Sequence, residues 1–245
     1  ADAFKKAESY NPDYIVLLGD IFDHRVEKPE VLSKAMALFK SLHSAPITIY
    51  GTHETRHKDA INPVQLLAQT GLVKLLHKNS IVLEKNGQRV AISGLSGVHD
   101  SFAKEELQRW NPQAVPGAFN IMLLHQTFRE DIPMLKNILS YSDLPRFNLY
   151  LLGHIHDARE RSIGGAPVLY PGSTVRTQLG KNTAAKLGFY ILEIENNQLV
   201  KKEYVALDTP RDFIHIIHDI GDASPAEIIG TLVGKIEATG LQNKR

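Results

Sequence analysis

Leu149-Tyr150-Leu151-Leu152-Gly153-His154-Ile155-His156 is the stretch on which the fold turns. An unbroken apolar run of strand length that stops at a glycine and delivers two imidazoles reads as a fully buried strand of an α/β sheet, with chemistry at its carboxyl end. Working outward, the same grammar recurs. Tyr14 to Leu18 runs into Gly19-Asp20, Ile47 to Tyr50 into Gly51-Thr52-His53-Glu54, and Phe119 to Leu124 into His125. Such strands lie side by side in a layered fold, so the residues at their carboxyl ends meet on one edge. One carboxylate, Asp20, and four imidazoles, His53, His125, His154 and His156, converge there. Gly19, Gly51 and Gly153 let the backbone turn sharply and leave room for an ion and a phosphate.

Helical spacing fills the intervals. Residues 1–10 predict a helix with Phe4, Ala7 and Tyr10 on one face. Pro29 opens a second helix carrying Val31, Ala35, Leu38, Phe39 and Leu42, and a short third runs from Pro63 to Thr70 before Gly71. Asn86-Gly87 predicts a type I′ hairpin. Residues 102–110 and Ile132 to Ser140 also read as helices, and strand-rich sequence with turns at Gly164-Gly165 and Asn196-Asn197 follows. Past Asp208 the pattern changes: a strand over Phe213 to Ile220, a linker, and an amphipathic helix over Ala226 to Thr239. That is the start of a second unit too small to stand alone.

The 245 residues are 43% hydrophobic and 22% charged, as in an ordinary globular protein. With 28 basic against 27 acidic side chains, binding to an anionic polymer requires a local basic cluster. The absence of cysteine excludes disulfides, zinc ribbons and a thiol nucleophile, so a metal must use His, carboxylate or amide. No apolar run approaches membrane-spanning length. The chain opens on a helical pattern without Met or a signal-peptide apolar stretch, so it is expected to begin inside a longer protein.

A mixed Asp and His set without thiolate suits Mn, Fe or Zn, and a carboxylate can bridge two ions, for which Asp20 is the natural candidate. Two ions clamped together stabilise both oxygens of a phosphoester displacement and supply hydroxide at neutral pH, so phosphoester hydrolysis is the expected reaction. One Gly-Asp after a strand is ordinarily only a turn, whereas His154 and His156 sit at i and i+2, where an extended segment points both rings one way. His43, His77, His99, His215 and His218 read as surface or half-buried residues; His24 and His57, next to candidate ligands, are placed to contact substrate but read first as solvated loop residues.

The set Gly19-Asp20-Ile21-Phe22-Asp23, Gly51-Thr52-His53-Glu54, His125 and Gly153-His154-Ile155-His156 resembles the calcineurin-like metallophosphoesterases. Asn11-Pro12-Asp13-Tyr14, Gly71-Leu72-Val73, Leu124-His125-Gln126 and Tyr170-Pro171-Gly172-Ser173-Thr174 narrow the likeness to the Mre-eleven/SbcD double-strand-break repair nucleases, across residues 3 to about 220. The resemblance implies a four-layer α-β-β-α sandwich in an α/β chain. Residues 1–208 would be the nuclease domain and 209–245 the start of a small α/β capping domain. It implies two Mn2+ ions bridged by Asp20, one bound by His125 and His154 and the other by His156, with His53 serving the leaving group. It implies a homodimer that acts on DNA with an SMC-like ATPase partner (Rad-fifty/SbcC), without a membrane, in the cytoplasm at the nucleoid, or in the nucleus of a eukaryote.

Two departures stand out. The family's first Asp-x-His strand is missing, consistent with N-terminal truncation, and Thr52 occupies the family's Asn position, where a short hydroxyl is a weak neutral ligand. The candidate DNA footprint is Arg25, Arg56, Lys58, Arg159, Arg161 and Arg176, all near the motif loops. A metal-dependent DNA exo/endonuclease is the expected function. A phosphodiesterase on a small nucleotide and a non-catalytic DNA-end-binding scaffold with a degenerate metal site are the alternatives.

Overall fold

The computed structural model describes residues 2–55, 60–176, 186–208, 216–221 and 223–239. Strands β1 (Val16–Leu18), β2 (Ile47–Ile49) and β3 (Lys74–Leu75) form a parallel sheet in that order. A six-stranded sheet is built from β4 (Asn79–Lys85), β5 (Gln88–Leu95), β6 (Phe119–Leu124), β7 (Leu149–Leu152), β8 (Arg159–Ile163) and β9 (Ala166–Tyr170), in the order β4-β5-β6-β7-β9-β8. Its centre, β5 to β9, is parallel, and antiparallel β4 and β8 close the two edges. The hairpin of β10 (Gly188–Glu195) and β11 (Gln198–Ala206) is a separate pair.

Side-chain alternation along the buried strands sorts them into cores. Phe119, Ile121 and Leu123 of β6, Leu149 and Leu151 of β7, and Leu169 of β9 face Ile47 and Ile49 of β2 and the apolar side of the β10–β11 hairpin. Met122, Leu124, Tyr150, Leu152, Val168 and Tyr170 face the other way, onto Ala103 and Leu107 of helix α4 (Asp100–Trp110). On the far side of the small sheet, Leu17 and Tyr50 join Phe39, Val64 and Leu67 of α2 (Pro29–Lys40) and α3 (Pro63–Gln69), with Phe4 of α1 (Asp2–Glu8) packed against them. The layers are therefore helix, sheet, sheet, helix, as the family resemblance implies.

Local chemistry explains the boundaries. Asn62 and Gln65 cap α3 reciprocally, with Pro63 at its first position. Asn86 and Gly87 both take positive φ, 51° and 74°, as a type I′ turn requires. Two expectations fail. Ile132 to Ser140 is not a helix: Pro133 and a left-handed Asn137 (φ 60°) interrupt it, and a Phe128–Leu139 bridge folds it into a loop ending in a 3-10 turn at Tyr141–Asp143. Within the predicted strand Phe213 to Ile220, residues 213–215 lie outside the described residues, and Ile216 to Ile220 form no strand and pair with no strand among the described residues. Helix α5 (Pro225–Ala238) forms as read, with Glu227 accepting from the Ser224 N–H and no residue buried.

One half-buried histidine makes stability depend on pH. His77 stacks on Tyr50 with ring centroids 5.1 Å apart, and its Nδ1 is enclosed without a hydrogen-bond partner. Burial, reinforced by Lys78, pushes its pKa down to about 4, and burial pushes Tyr50 up to about 12. Between the two His77 values the unfolded chain binds a proton that the native state refuses, so stability falls as pH drops from 6.5 to about 4. The loss is on the order of 3 kcal/mol. Urea midpoints measured across that range should show it, and His77→Gln should flatten that limb.

Candidate metal centre

Each parallel strand delivers its residue at a tight turn. After β1 the chain reverses through Gly19 and Asp20, both with positive φ, 84° and 49°. Gly51, after β2, sits so close that a Cβ there would lie 2.1 Å from Asp20 Oδ1, and a Cβ on Gly153, after β7, would lie 2.1 Å from the Leu18 carbonyl oxygen. Only glycine permits these approaches, so the strand ends can draw together around Asp20.

His125, 1% exposed at the end of β6, donates from Nδ1 to the Leu18 carbonyl at 2.5 Å. In the neutral ring that a metal requires, that bond leaves the lone pair on Nε2. Nε2 faces Asp20 Oδ2 at 3.0 Å, and it is enclosed without a properly aligned hydrogen bond. Two electron-pair donors directed at each other are repulsive until a cation lies between them. His154 completes the set, its ring 5.3 Å from that of His125, and one donor atom from each of Asp20, His125 and His154 lies within 4.8 Å of the others. Burial, then the His125 ring, lower the His154 pKa and keep it in the neutral form that a metal takes. The donor set therefore fits a divalent cation of the Mn, Fe or Zn type.

His156 is not part of this three-residue cluster. His154 takes φ 75°, so the segment is not extended and the argument that i and i+2 point the same way does not apply. His53 reaches Asp20 through its backbone N–H, at 2.9 Å to Oδ1, while its ring lies over an open cleft of about 590 Å3 with Thr52, Arg25 and Asp23. Its Nδ1 is 3.2 Å from Asp23 Oδ1. Burial lowers the His53 pKa, but Asp20 and the Asp23 carbonyl and carboxylate outweigh it and raise the pKa overall.

Two participants escape the sequence reading, Asp23 and Glu54, although both stand inside the quoted motifs. Glu54 is fully buried and accepts the backbone N–H groups of Asp20 (3.1 Å), Phe22 (2.8 Å) and Gly51 (2.7 Å), tying the first two strand ends together. Burial lifts its carboxyl above the usual range despite the opposing N–H groups of Gly51 and Phe22. An acidic residue directly after an apolar strand and its turn is the available signal.

Of the basic footprint, Arg25 is exposed beside the cleft, and Arg56 and Lys58 lie outside the described residues. Arg159 faces Asp131 at 3.8 Å and Asp157 at 3.6 Å, Arg161 is exposed and donates to the Glu160 carbonyl, and Arg176 is half-buried. His43 bonds Glu8 and His99 caps α4, away from the cluster, while His57 and His215 lie outside the described residues.

A domain model described as the calcineurin-like phosphoesterase superfamily domain matches residues 1–197, and the chain belongs to that superfamily. Its sequence relatives there include Mre11 proteins. The DNA double-strand break repair protein Mre11 of Methanopyrus kandleri is 29% identical over 224 residues, covering 82% of this chain and 49% of the relative. That of Methanocaldococcus jannaschii is 30% identical over 224 residues, covering 86% of this chain and 60% of the relative. The chain thus spans about half the length of the curated relatives it matches. Among solved structures, the protein TT1561 of Thermus thermophilus superposes with TM-score 0.53 at 13% identity, covering 82% of this chain and 90% of that one. A putative 5'-nucleotidase from Staphylococcus aureus superposes with TM-score 0.55 at 14% identity, covering 95% and 52%. Both show the sandwich fold.

Proposed function

We propose that this chain is the catalytic portion of a metal-dependent DNA exo/endonuclease acting in double-strand-break repair. The observation that carries the reading is the buried His125 Nε2 facing Asp20 Oδ2 with His154 beside them, joined through the His53 backbone N–H to an open cleft that His53 lines. The names of the Mre11 relatives supply the substrate class and the process. Asp20, His125 and His154 would hold one Mn2+, and Asp20 would share a second with His156 and Thr52. Bound divalent ions neutralise the phosphate and supply hydroxide at neutral pH.

The chain's own residues do the rest. Leu18 fixes the tautomer of His125, and Glu54 fixes the Asp20 turn. His53, held at Nδ1 by Asp23, leaves Nε2 to hand a proton to the departing oxygen. Arg25, Arg56, Lys58, Arg159, Arg161 and Arg176 are proposed to contact the DNA backbone. The further partners are a second copy of this chain and an SMC-like ATPase (Rad-fifty/SbcC), and residues 209–245 would begin the capping unit. Among the described residues no helix is long and apolar enough to cross a membrane. A cytoplasmic, nucleoid-associated site of action, or a nuclear one in a eukaryote, completes the reading.

End-labelled linear duplex DNA incubated with the chain and Mn2+ tests it. Mn2+-dependent release of nucleotides, lost in His125→Ala, is expected. Inert DNA together with hydrolysis of a cyclic nucleotide would move the chain to small-nucleotide chemistry, and DNA binding without any hydrolysis would make it a scaffold. Thr52→Asn should tighten Mn2+ binding, because an amide oxygen reaches farther and is a better neutral ligand than a hydroxyl. Unchanged affinity and rate would remove Thr52 from the ligand set.

A further inference from the structure

We propose that Asp131 is a positioning residue for the His154–His156 turn, acting through a brace that the ligand set does not include. The proposal rests on the metal-centre reading above. The Asp131 side chain is fully enclosed, 0% exposed. Its Oδ2 accepts from the hydroxyls of Tyr170 (2.6 Å) and Tyr141 (2.9 Å). Its Oδ1 has no hydrogen bond and faces Arg159 Nη1 at 3.8 Å.

Tyr170 and Arg159 are directly opposite each other on the β8–β9 ladder, so one carboxylate grips both ends of a single rung. That rung closes the base of the 153–158 turn. Arg159 follows His156 by three residues, and its Nη2 also faces Asp157 at 3.6 Å. Beyond Tyr170, Gly172 is packed so closely on the turn that a Cβ would lie 2.6 Å from the His156 carbonyl oxygen. Ser173 N–H donates to that same oxygen at 2.8 Å. The rung from which these contacts with the turn extend is thus held by Asp131.

An enclosed carboxylate is an expensive way merely to hold a core together, since apolar side chains of like volume do so at least as well. What this one adds is direction. Two hydroxyls and a guanidinium face it, just ahead of the loop Ile132 to Ser140, on the segment that leaves the end of β6 next to His125. The brace therefore couples the His125 strand to the His154–His156 turn.

Two readouts on the full chain test the brace: Mn2+ affinity by calorimetry and amide hydrogen exchange without metal. Asp131→Asn should weaken Mn2+ binding about tenfold, as loss of a supporting partner outside the ligand set does. It should also speed exchange over residues 153–158 while leaving α3 unchanged. Tyr170→Phe, which removes one hydroxyl, should act in the same direction more weakly, and it carries the test if Asp131→Asn does not fold. A folded variant with wild-type Mn2+ affinity and wild-type exchange over 153–158 overturns the proposal. If the unaltered chain binds no Mn2+, the metal-centre reading fails by itself, and the exchange comparison still decides whether Asp131 holds the turn.

Discussion

His53→Gln is expected to lower phosphodiester hydrolysis by about 10²–10⁴-fold, the usual contribution of a positioned proton donor, while divalent-metal affinity stays unchanged. The separation follows from how His53 is held. Its backbone N–H, not its ring, donates to Asp20, so changing the side chain leaves the carboxylate's contact in place. Among the described residues the ring bonds Asp23, over the cleft. The pH profile adds a second signature. The folded pKa of His53 is raised, by Asp20 and Asp23 against the effect of burial, so the protonated donor persists to higher pH and activity falls as pH rises through that value. Asp23 is not in the three-residue ligand cluster, so its share persists when a cation neutralises Asp20. Asp23→Asn should therefore move the alkaline limb to lower pH, and His53→Gln should erase it. A His53→Gln variant that keeps wild-type kcat removes the residue from the chemistry.

The second large effect is on architecture. Glu54→Gln should destabilise the fold by about 3 kcal/mol or more, because the new amide N–H2 must face N–H donors that now meet carboxylate oxygens. Both oxygens are engaged, one by Phe22 and the other by Asp20 and Gly51, so neither orientation of the amide satisfies all three. For a chain of this size that is about 6–12 °C in Tm. Mn2+ affinity should fall as well, since the Asp20 turn loses its anchor. A melting temperature within about 1 °C of wild type would contradict this account of Glu54.

The strand ends are legible because their signal is local: an apolar run, a glycine, then a ligand-competent side chain. The same holds for the hairpin at Asn86-Gly87, where residue chemistry sets the turn. Sheet order is not legible, since pairing β9 between β7 and β8 depends on contacts far apart in the chain. Ile132 to Ser140 carries helical spacing, yet Glu130 accepts from Ser140 and Tyr141, and Asp131 from Tyr141 and Tyr170, so tertiary bonds outcompete a short, Pro-interrupted helix. The argument that His154 and His156 point the same way along an extended segment does not hold, because of one backbone angle, at His154, that residue type does not reveal. Asp23 and Glu54 are in plain view, but their partners are a ring and three backbone N–H groups placed by the fold.

Equilibrium dialysis of the purified chain against Mn2+, with elemental analysis, tests the central claim most directly. The account predicts saturable binding of at least one ion per chain, lost in Asp20→Asn and in His125→Ala and retained in His53→Gln. No saturable Mn2+ binding, or binding indifferent to Asp20 and His125, would contradict it.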